Sequence, residues 1–199
     1  MYAQISAKRD CATCNMKKRF IAVLIVCCAE LSYAFPLFEF NCSALKDSGS
    51  GSNVTRQFYF DPDWNTCLVF NYNGTGGNTN RFETKEDCEL LCVPAGSTCK
   101  GPSKTVVQPL KEAFRCDDSV CPSTHKCLMG MVPVCCDTEN QEAFNQAVAD
   151  TCPDGTKADG IFDLYFRAVY AHSCEDLICD ENHKCVQVNK HFAKCCSKE

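Results

Sequence analysis

The sequence has no GxSxG, no HExxH and no paired-carboxylate arrangement, the short patterns that place a nucleophile, a zinc ion or an acid/base couple. It has only four histidines, and His172 and His191 stand in no motif with a nucleophile or a carboxylate. Together these gaps exclude the common hydrolase chemistries, and the chain reads as a non-enzyme without cofactor or metal. A basic patch is missing too. Lys and Arg number 20 against 25 Asp and Glu, a formal net charge of −5, which argues against nucleic acid or an anionic membrane as partner. Beyond the first 34 residues no apolar run approaches the roughly 20 residues that a membrane-spanning helix needs.

What the chain has in excess is cysteine: 20 of 199 residues, against 10 glycines and 8 prolines. Such a count means either a disulfide scaffold or a set of metal knuckles. The N-terminal stretch decides between them. Lys17-Lys18-Arg19 precede the apolar run Phe20–Ala29, and Ser32-Tyr33-Ala34 offers small residues at the positions a signal peptidase reads. Residues 1–34 are therefore expected to be a secretory signal peptide, and the product to enter the extracellular space or matrix. In that oxidising compartment the disulfide reading prevails, because zinc needs free thiolates. This holds for His125 and His183, which sit beside cysteines, and Cys11-Ala12-Thr13-Cys14 falls in the leader. Without 1–34 the chain keeps 16 cysteines, and 15 basic residues against 23 acidic ones, a net charge of −8.

The most informative stretch is Arg56–Cys92. Phe58-Tyr59-Phe60 and Leu68-Val69-Phe70-Asn71-Tyr72 suit strands, since aromatic and β-branched side chains pack well on a pleated surface. Asp61-Pro62-Asp63 between them reads as a turn, which makes the pair a hairpin. Thr84 is a candidate helix cap, with Glu86 and Asp87 at the positive end of the dipole. Cys88 and Cys92 then share one helical face. Ahead of the hairpin, Leu45–Thr55 is a polar Gly/Ser loop. It lacks the strand, helix and lysine that a phosphate-cradling loop requires.

These residues resemble the Kunitz family of serine-protease inhibitors over about 50 residues. Cys42, Cys67, Cys88 and Cys92 fall at the family's first, third, fifth and sixth cysteine positions, and Phe70, Tyr72, Gly74, Asn80 and Phe82 match its FxYxG…N.F signature. The resemblance implies an α+β module, a twisted hairpin plus a C-terminal helix, with the pairs Cys42–Cys92 and Cys67–Cys88. It also implies a protease-contact loop at Gly49, Ser50, Gly51, Ser52, Asn53 and Val54, with Ser52 entering the protease's primary pocket. The family's second and fourth cysteines would fall at Gly51 and Thr75. Their absence removes about 3 kcal/mol of loop constraint on a chain-entropy view, so the loop is expected to be mobile and degenerate. Asn53-Val54-Thr55 and Asn73-Gly74-Thr75 are glycosylation sequons, which makes Asn53 and Asn73 candidate glycan sites.

Beyond Cys92 two segments share one spacing. Cys99, Cys116, Cys121, Cys127, Cys135 and Cys136 make the first set, and Cys152, Cys174, Cys179, Cys185, Cys195 and Cys196 the second. Both run five residues from the second cysteine to the third and six more to the fourth, so they read as a tandem duplication. Three bridges per unit are expected, in an order the spacing leaves open. The pattern resembles the lustrin-type repeats that accompany Kunitz domains in secreted roundworm proteins. Thr138-Glu139-Asn140-Gln141 reads as a capping box opening a linking helix. The apolar insert from Ile161 to Tyr170 reads either as a small local core or as an exposed contact patch.

The expected architecture is a small disulfide-rich chain: signal peptide at 1–34, atypical Kunitz module at 35–94, a cysteine-rich repeat at 95–140, and a linker helix with a second repeat at 141–199. Its expected role is to bind or regulate an extracellular serine protease in matrix or cuticle formation. The alternative is a non-inhibitory structural or adhesive matrix protein. The expected partner is accordingly a protease or a matrix protein, with neither nucleic acid nor membrane.

Overall fold

Two strands rich in aromatics form the hairpin on which the molecule is assembled: β1 (Thr55–Asp61) pairs antiparallel with β2 (Thr66–Tyr72), Phe58 opposite Val69 and Phe60 opposite Cys67. The computed structural model describes residues 40–198 apart from Ser97, 103–105, Glu112 and Asp163. The leader expected at 1–34, with its CxxC, lies outside the described residues. Between the strands Asp61 folds its carboxylate back onto the amides of Asp63 (2.8 Å) and Trp64 (3.1 Å), a side-chain turn that only Asp, Asn, Ser or Thr can make. Helix α1 (Lys85–Cys92) starts at Thr84, whose hydroxyl oxygen accepts from Asp87 N at 3.1 Å. The bonds Cys42–Cys92 and Cys67–Cys88 tie this helix to the chain's entry and to β2. Asn80 is 1% exposed, and its carboxamide accepts from Phe60 N and donates to Phe60 O and Ala44 O at 2.7–2.8 Å. It thus closes both buried backbone groups of Phe60 and a half-buried carbonyl at Ala44.

Two three-stranded sheets follow. In the first, β5 (Pro133–Asp137) lies between β3 (Val106–Val107) and β4 (His125–Met129). A separate ribbon pairs β6 (Gly160–Phe162) with β7 (Phe166–Ala168). In the second sheet, β10 (Ala193–Ser197) lies between β8 (Tyr170–Ala171) and β9 (His183–Gln187). The cysteine doublets sit on the central strands. Adjacent strand residues point to opposite faces, so Cys135 bonds Cys121 while Cys136 bonds Cys99, and Cys195 bonds Cys179 while Cys196 bonds Cys152. Cys116–Cys127 and Cys174–Cys185 complete each set. The order of bridges is the same in both segments: first to sixth, second to fourth, third to fifth. The cysteines beside His125 and His183 are thereby used in disulfides.

Helix α2 (Thr138–Val148) joins the two sheets, and here the structure corrects the capping box. The cap is Asp137, whose carboxylate accepts from Asn140 N at 2.9 Å, and Thr138 is already helical. A carboxylate one residue earlier satisfies the same free amide and interacts better with the dipole. At the other end the fully buried Lys194 donates to Gln146 O, Ala149 O and Thr151 O at 2.7–2.9 Å, a cation closing the helix C-terminus. Burial lowers its pKa to about 8.

The hairpin is buried on both faces. One cluster combines Phe58, Phe60, Val69 and Phe82 with Val169, Ala171 and Leu177; the other combines Tyr59, Trp64, Leu68 and Phe70 with Tyr170 and Phe192. The second six-cysteine segment thus shares both cores of the hairpin, at roughly 1.5–3 kcal/mol per large side chain buried. Polar contacts lock the join. Thr66 and Tyr170 share a 2.8 Å hydroxyl bond, and Lys85 donates to Ala168 O at 2.9 Å. Arg167 pairs with Glu86. The insert from Ile161 to Tyr170 divides: Val169 and Tyr170 are core, whereas Phe162, Leu164 and Tyr165 are exposed.

Candidate functional site

The loop Gly49–Val54 runs from the first bridge into β1 and lies against the far end of β2. Ser50 and Thr75 form an isolated antiparallel bridge there, Ser50 N to Thr75 O at 2.8 Å and Thr75 N to Ser50 O at 3.0 Å. The Thr75 hydroxyl adds a bond to Ser50 O at 2.6 Å. Asn73 holds the approach, its backbone N bonding Ser48 O (2.9 Å) and its side-chain amide donating to Gly49 O (3.2 Å). The Asp47 carboxylate accepts from Gly49 N at 2.9 Å.

The tether replaces the missing bridge in part. Three hydrogen bonds at Ser50–Thr75 contribute about 0.5–1.5 kcal/mol each, the lower end applying at the surface, against about 3 kcal/mol for a disulfide. The loop is therefore more constrained than the loss of two cysteines implies. Sequence reasoning missed this because backbone hydrogen bonds leave no signature in residue type. The nearest legible signal is glycine placement. Gly49 has φ +64°, and a Cβ there would collide with Thr75 O. Gly51 has φ +104°, and its Cβ would lie 2.6 Å from Thr75 Oγ1. Both conformations strongly favour glycine.

Ser52, Asn53 and Val54 are exposed. Ser52 presents a single hydroxyl, with neither charge nor bulk for a deep pocket. Of the two sequon asparagines, Asn53 is exposed, while Asn73 is half-buried and its amide nitrogen is engaged by Gly49 O.

The second six-cysteine segment reaches this end of the hairpin. Glu175 O accepts from Asn71 Nδ2 at 2.9 Å, and Ile178 O from Arg56 Nη2 at 3.3 Å. Lys46, just ahead of the loop, pairs with Asp176 at 2.6 Å. Arg56 also lies 3.7 Å from Asp159. No helix among the described residues is long and apolar enough to cross a membrane.

The sequence profile of the Kunitz/Bovine pancreatic trypsin inhibitor domain matches residues 41–93. The Major allergen Ani s 1 of Anisakis simplex is 32% identical over 156 residues, which cover 73% of this chain and 78% of that protein. A BPTI/Kunitz inhibitor domain-containing protein of Caenorhabditis elegans is 30% identical over 167 residues, 80% of this chain and 91% of that one. Both alignments extend well past the matched domain into the cysteine-rich segments. Tissue factor pathway inhibitor 2 of Homo sapiens is 47% identical over 55 residues, 27% of this chain and 23% of that protein.

Proposed function

The chain belongs to the Kunitz/bovine pancreatic trypsin inhibitor domain family, and on that premise we propose that it is a secreted protein that binds and restrains an extracellular serine protease through Gly49–Val54. The observation that carries this reading is the Ser50–Thr75 tether. It keeps a solvent-facing loop in one shape without the family's bridge, and a loop held in its bound shape loses little entropy on binding. Ser52 selects the protease class. A pocket with a carboxylate at its base needs Arg or Lys, so the target is a protease with a small, uncharged pocket of the elastase type. Fewer constraints than a disulfide provides make this a modulator of moderate affinity.

Two finer readings accompany it. Residues 1–34 are read as the signal peptide and 35–94 as the inhibitory module. Residues 95–140 and 141–199 are read as two copies of one lustrin-like repeat, a reading supported by their common bridge order and strand order. A role in matrix or cuticle has one observation in its favour. Phe114, Met131 and Val132 line one concavity on the first cysteine-rich segment and are 59–97% exposed, and clustered apolar surface of this kind marks contacts.

The experiment is an inhibition assay of the secreted, oxidised protein against trypsin and an elastase. Inhibition of elastase that Ser52→Asp abolishes supports the proposal. Absence of inhibition of any small-pocket protease overturns it in favour of a structural role.

A further inference from the structure

Six short residues are too few to make a protease interface. An inhibitor of ordinary size buries about 800 Å² and some 20–30 of its own residues, a disc of about 16 Å radius. Gly49–Val54 consists of two glycines, two serines, an asparagine and a valine. Most of the interface must therefore come from the surface around the loop. On one side that surface is the hairpin tip at Asn73–Thr75. On the other it is the turn Cys174–Ile178 of the second six-cysteine segment.

This turn adjoins the strand ends that lead away from the loop. It is bonded to Arg56 and Asn71, which face each other in the hairpin register. Arg56 follows Val54 by two residues, about 7 Å along an extended chain. The turn is also rigid. Its one-turn 3₁₀ helix Cys174–Asp176 is fastened by Cys174–Cys185, Cys179–Cys195 follows closely, and Asp176 and Leu177 are buried. Little freedom remains for it to lose when a partner binds. Toward solvent it presents the exposed Glu175 side chain and Ile178 at 46% exposure. The chain as a whole is acidic, net −5, which favours a partner face of opposite sign.

We propose that Cys174–Ile178 is the second half of the protease-binding surface, contributed by a segment outside the inhibitory module. The partner is a serine protease that takes Ser52 in a shallow pocket. Beside that pocket it carries a lysine or arginine to meet Glu175 and an apolar side chain to cover Ile178. The inference rests on the reading of Gly49–Val54 as the contact loop, and the experiment separates the two.

Inhibition constants are measured for the full secreted protein against two elastase-type proteases, one strongly basic and one near neutral, at low and physiological salt. Ser52→Asp tests the loop. Glu175→Gln and Ile178→Ala, each with an unchanged melting curve, test the turn. The expected result is that Ser52→Asp abolishes inhibition of both proteases. Each turn variant weakens inhibition of the basic protease about fivefold to tenfold, equivalent to about 1–1.4 kcal/mol. The Glu175 effect shrinks as salt rises, since exposed charges are screened. If Ser52→Asp abolishes inhibition while both turn variants change it less than about twofold, the loop reading stands and the accessory surface is refuted. Tighter inhibition by either turn variant means that the turn obstructs the protease, and refutes it equally. If wild type fails to inhibit at about 10 µM, or Ser52→Asp has no effect, the loop reading falls and the accessory surface with it.

Discussion

His172 donates from Nε2 to the Asp61 carboxylate at 2.6 Å, while its Nδ1 lies 2.9 Å from the carbonyl of His191. A carbonyl can only accept, so Nδ1 carries hydrogen, and so does Nε2 toward the carboxylate. Both nitrogens protonated make an imidazolium. The pair joins the turn of the Kunitz hairpin to the second six-cysteine segment. Burial opposes the charge on His172, but the Asp61 bond and the His191 carbonyl outweigh it and raise its pKa above 6.5. Burial likewise opposes the Asp61 charge, but the bond from His172 and the Trp64 and Asp63 amides lower its pKa below 3.8.

The sign follows from linkage. A raised histidine pKa stabilises below the unfolded value near 6.5 and the gain is lost as pH rises through the folded value. A lowered carboxylate pKa stabilises above about 3.8 and the gain is lost as pH falls through the folded value. The join is therefore strongest between about pH 4 and 6.5. With a third of the His172 side chain in solvent, the contribution is about 1 kcal/mol or less. The expected outcome is that His172→Gln lowers the melting temperature by about 2–4 °C at pH 5.5 and by less as pH rises to 9. Equal loss at both values would refute the charged pair.

Trp64 is the only tryptophan of the chain and packs edge-on against Phe192 at 4.5 Å. Phe192 is fully buried and also meets Tyr170 at 5.7 Å. Phe192→Ala is expected to cost about 3–5 kcal/mol and to move the Trp64 emission to the red in the folded protein. Destabilisation with unchanged Trp64 emission would show that Trp64 does not pack against Phe192 in the folded protein.

Gly49→Ala places a methyl group against Thr75 O at a left-handed backbone position. The expected local cost is about 1–3 kcal/mol, felt as faster hydrogen exchange at the Ser50 and Thr75 amides and as tenfold or more weaker protease inhibition. The disulfides should be unaffected. Unchanged exchange at those two amides would mean that the tether does not hold the loop.

Wild-type protein is expected not to inhibit trypsin at micromolar concentration, and Ser52→Arg to confer inhibition. A charge-assisted bond to the pocket carboxylate contributes about 1.5–3 kcal/mol, a gain of about 10-fold to 150-fold. Nanomolar inhibition of trypsin by the unaltered protein would refute the assignment of Ser52 to the pocket.

One N-glycan is expected, at the exposed Asn53 rather than at Asn73, whose amide nitrogen is bonded to Gly49 O. Standing beside Ser52, it narrows access to the contact loop, so Asn53→Gln is expected to strengthen protease inhibition. Glycopeptide mapping of protein from secretory cells decides it; occupancy at Asn73 would show that the sugar is added before this bond forms.

The Kunitz module was legible in the sequence because its determinants are local. Aromatic runs around Asp61-Pro62-Asp63 specify a hairpin, and Thr84 with its acidic first turn specifies α1. Each is a matter of a few neighbouring residues. The start of α2 was legible only to within a residue, since Asp137 and Thr138 both carry capping oxygens and the backbone chose between them. Three features were decided by tertiary structure alone. The bridge order within each six-cysteine segment depends on which face of a central strand each cysteine occupies. The loop tether depends on backbone groups of Ser50 and Thr75 that every residue possesses. The union of the hairpin with the second segment depends on Thr66 meeting Tyr170 and Trp64 meeting Phe192. Partners more than a hundred residues apart share no periodicity, and only the packed fold, by burying both faces of one hairpin, brings them together.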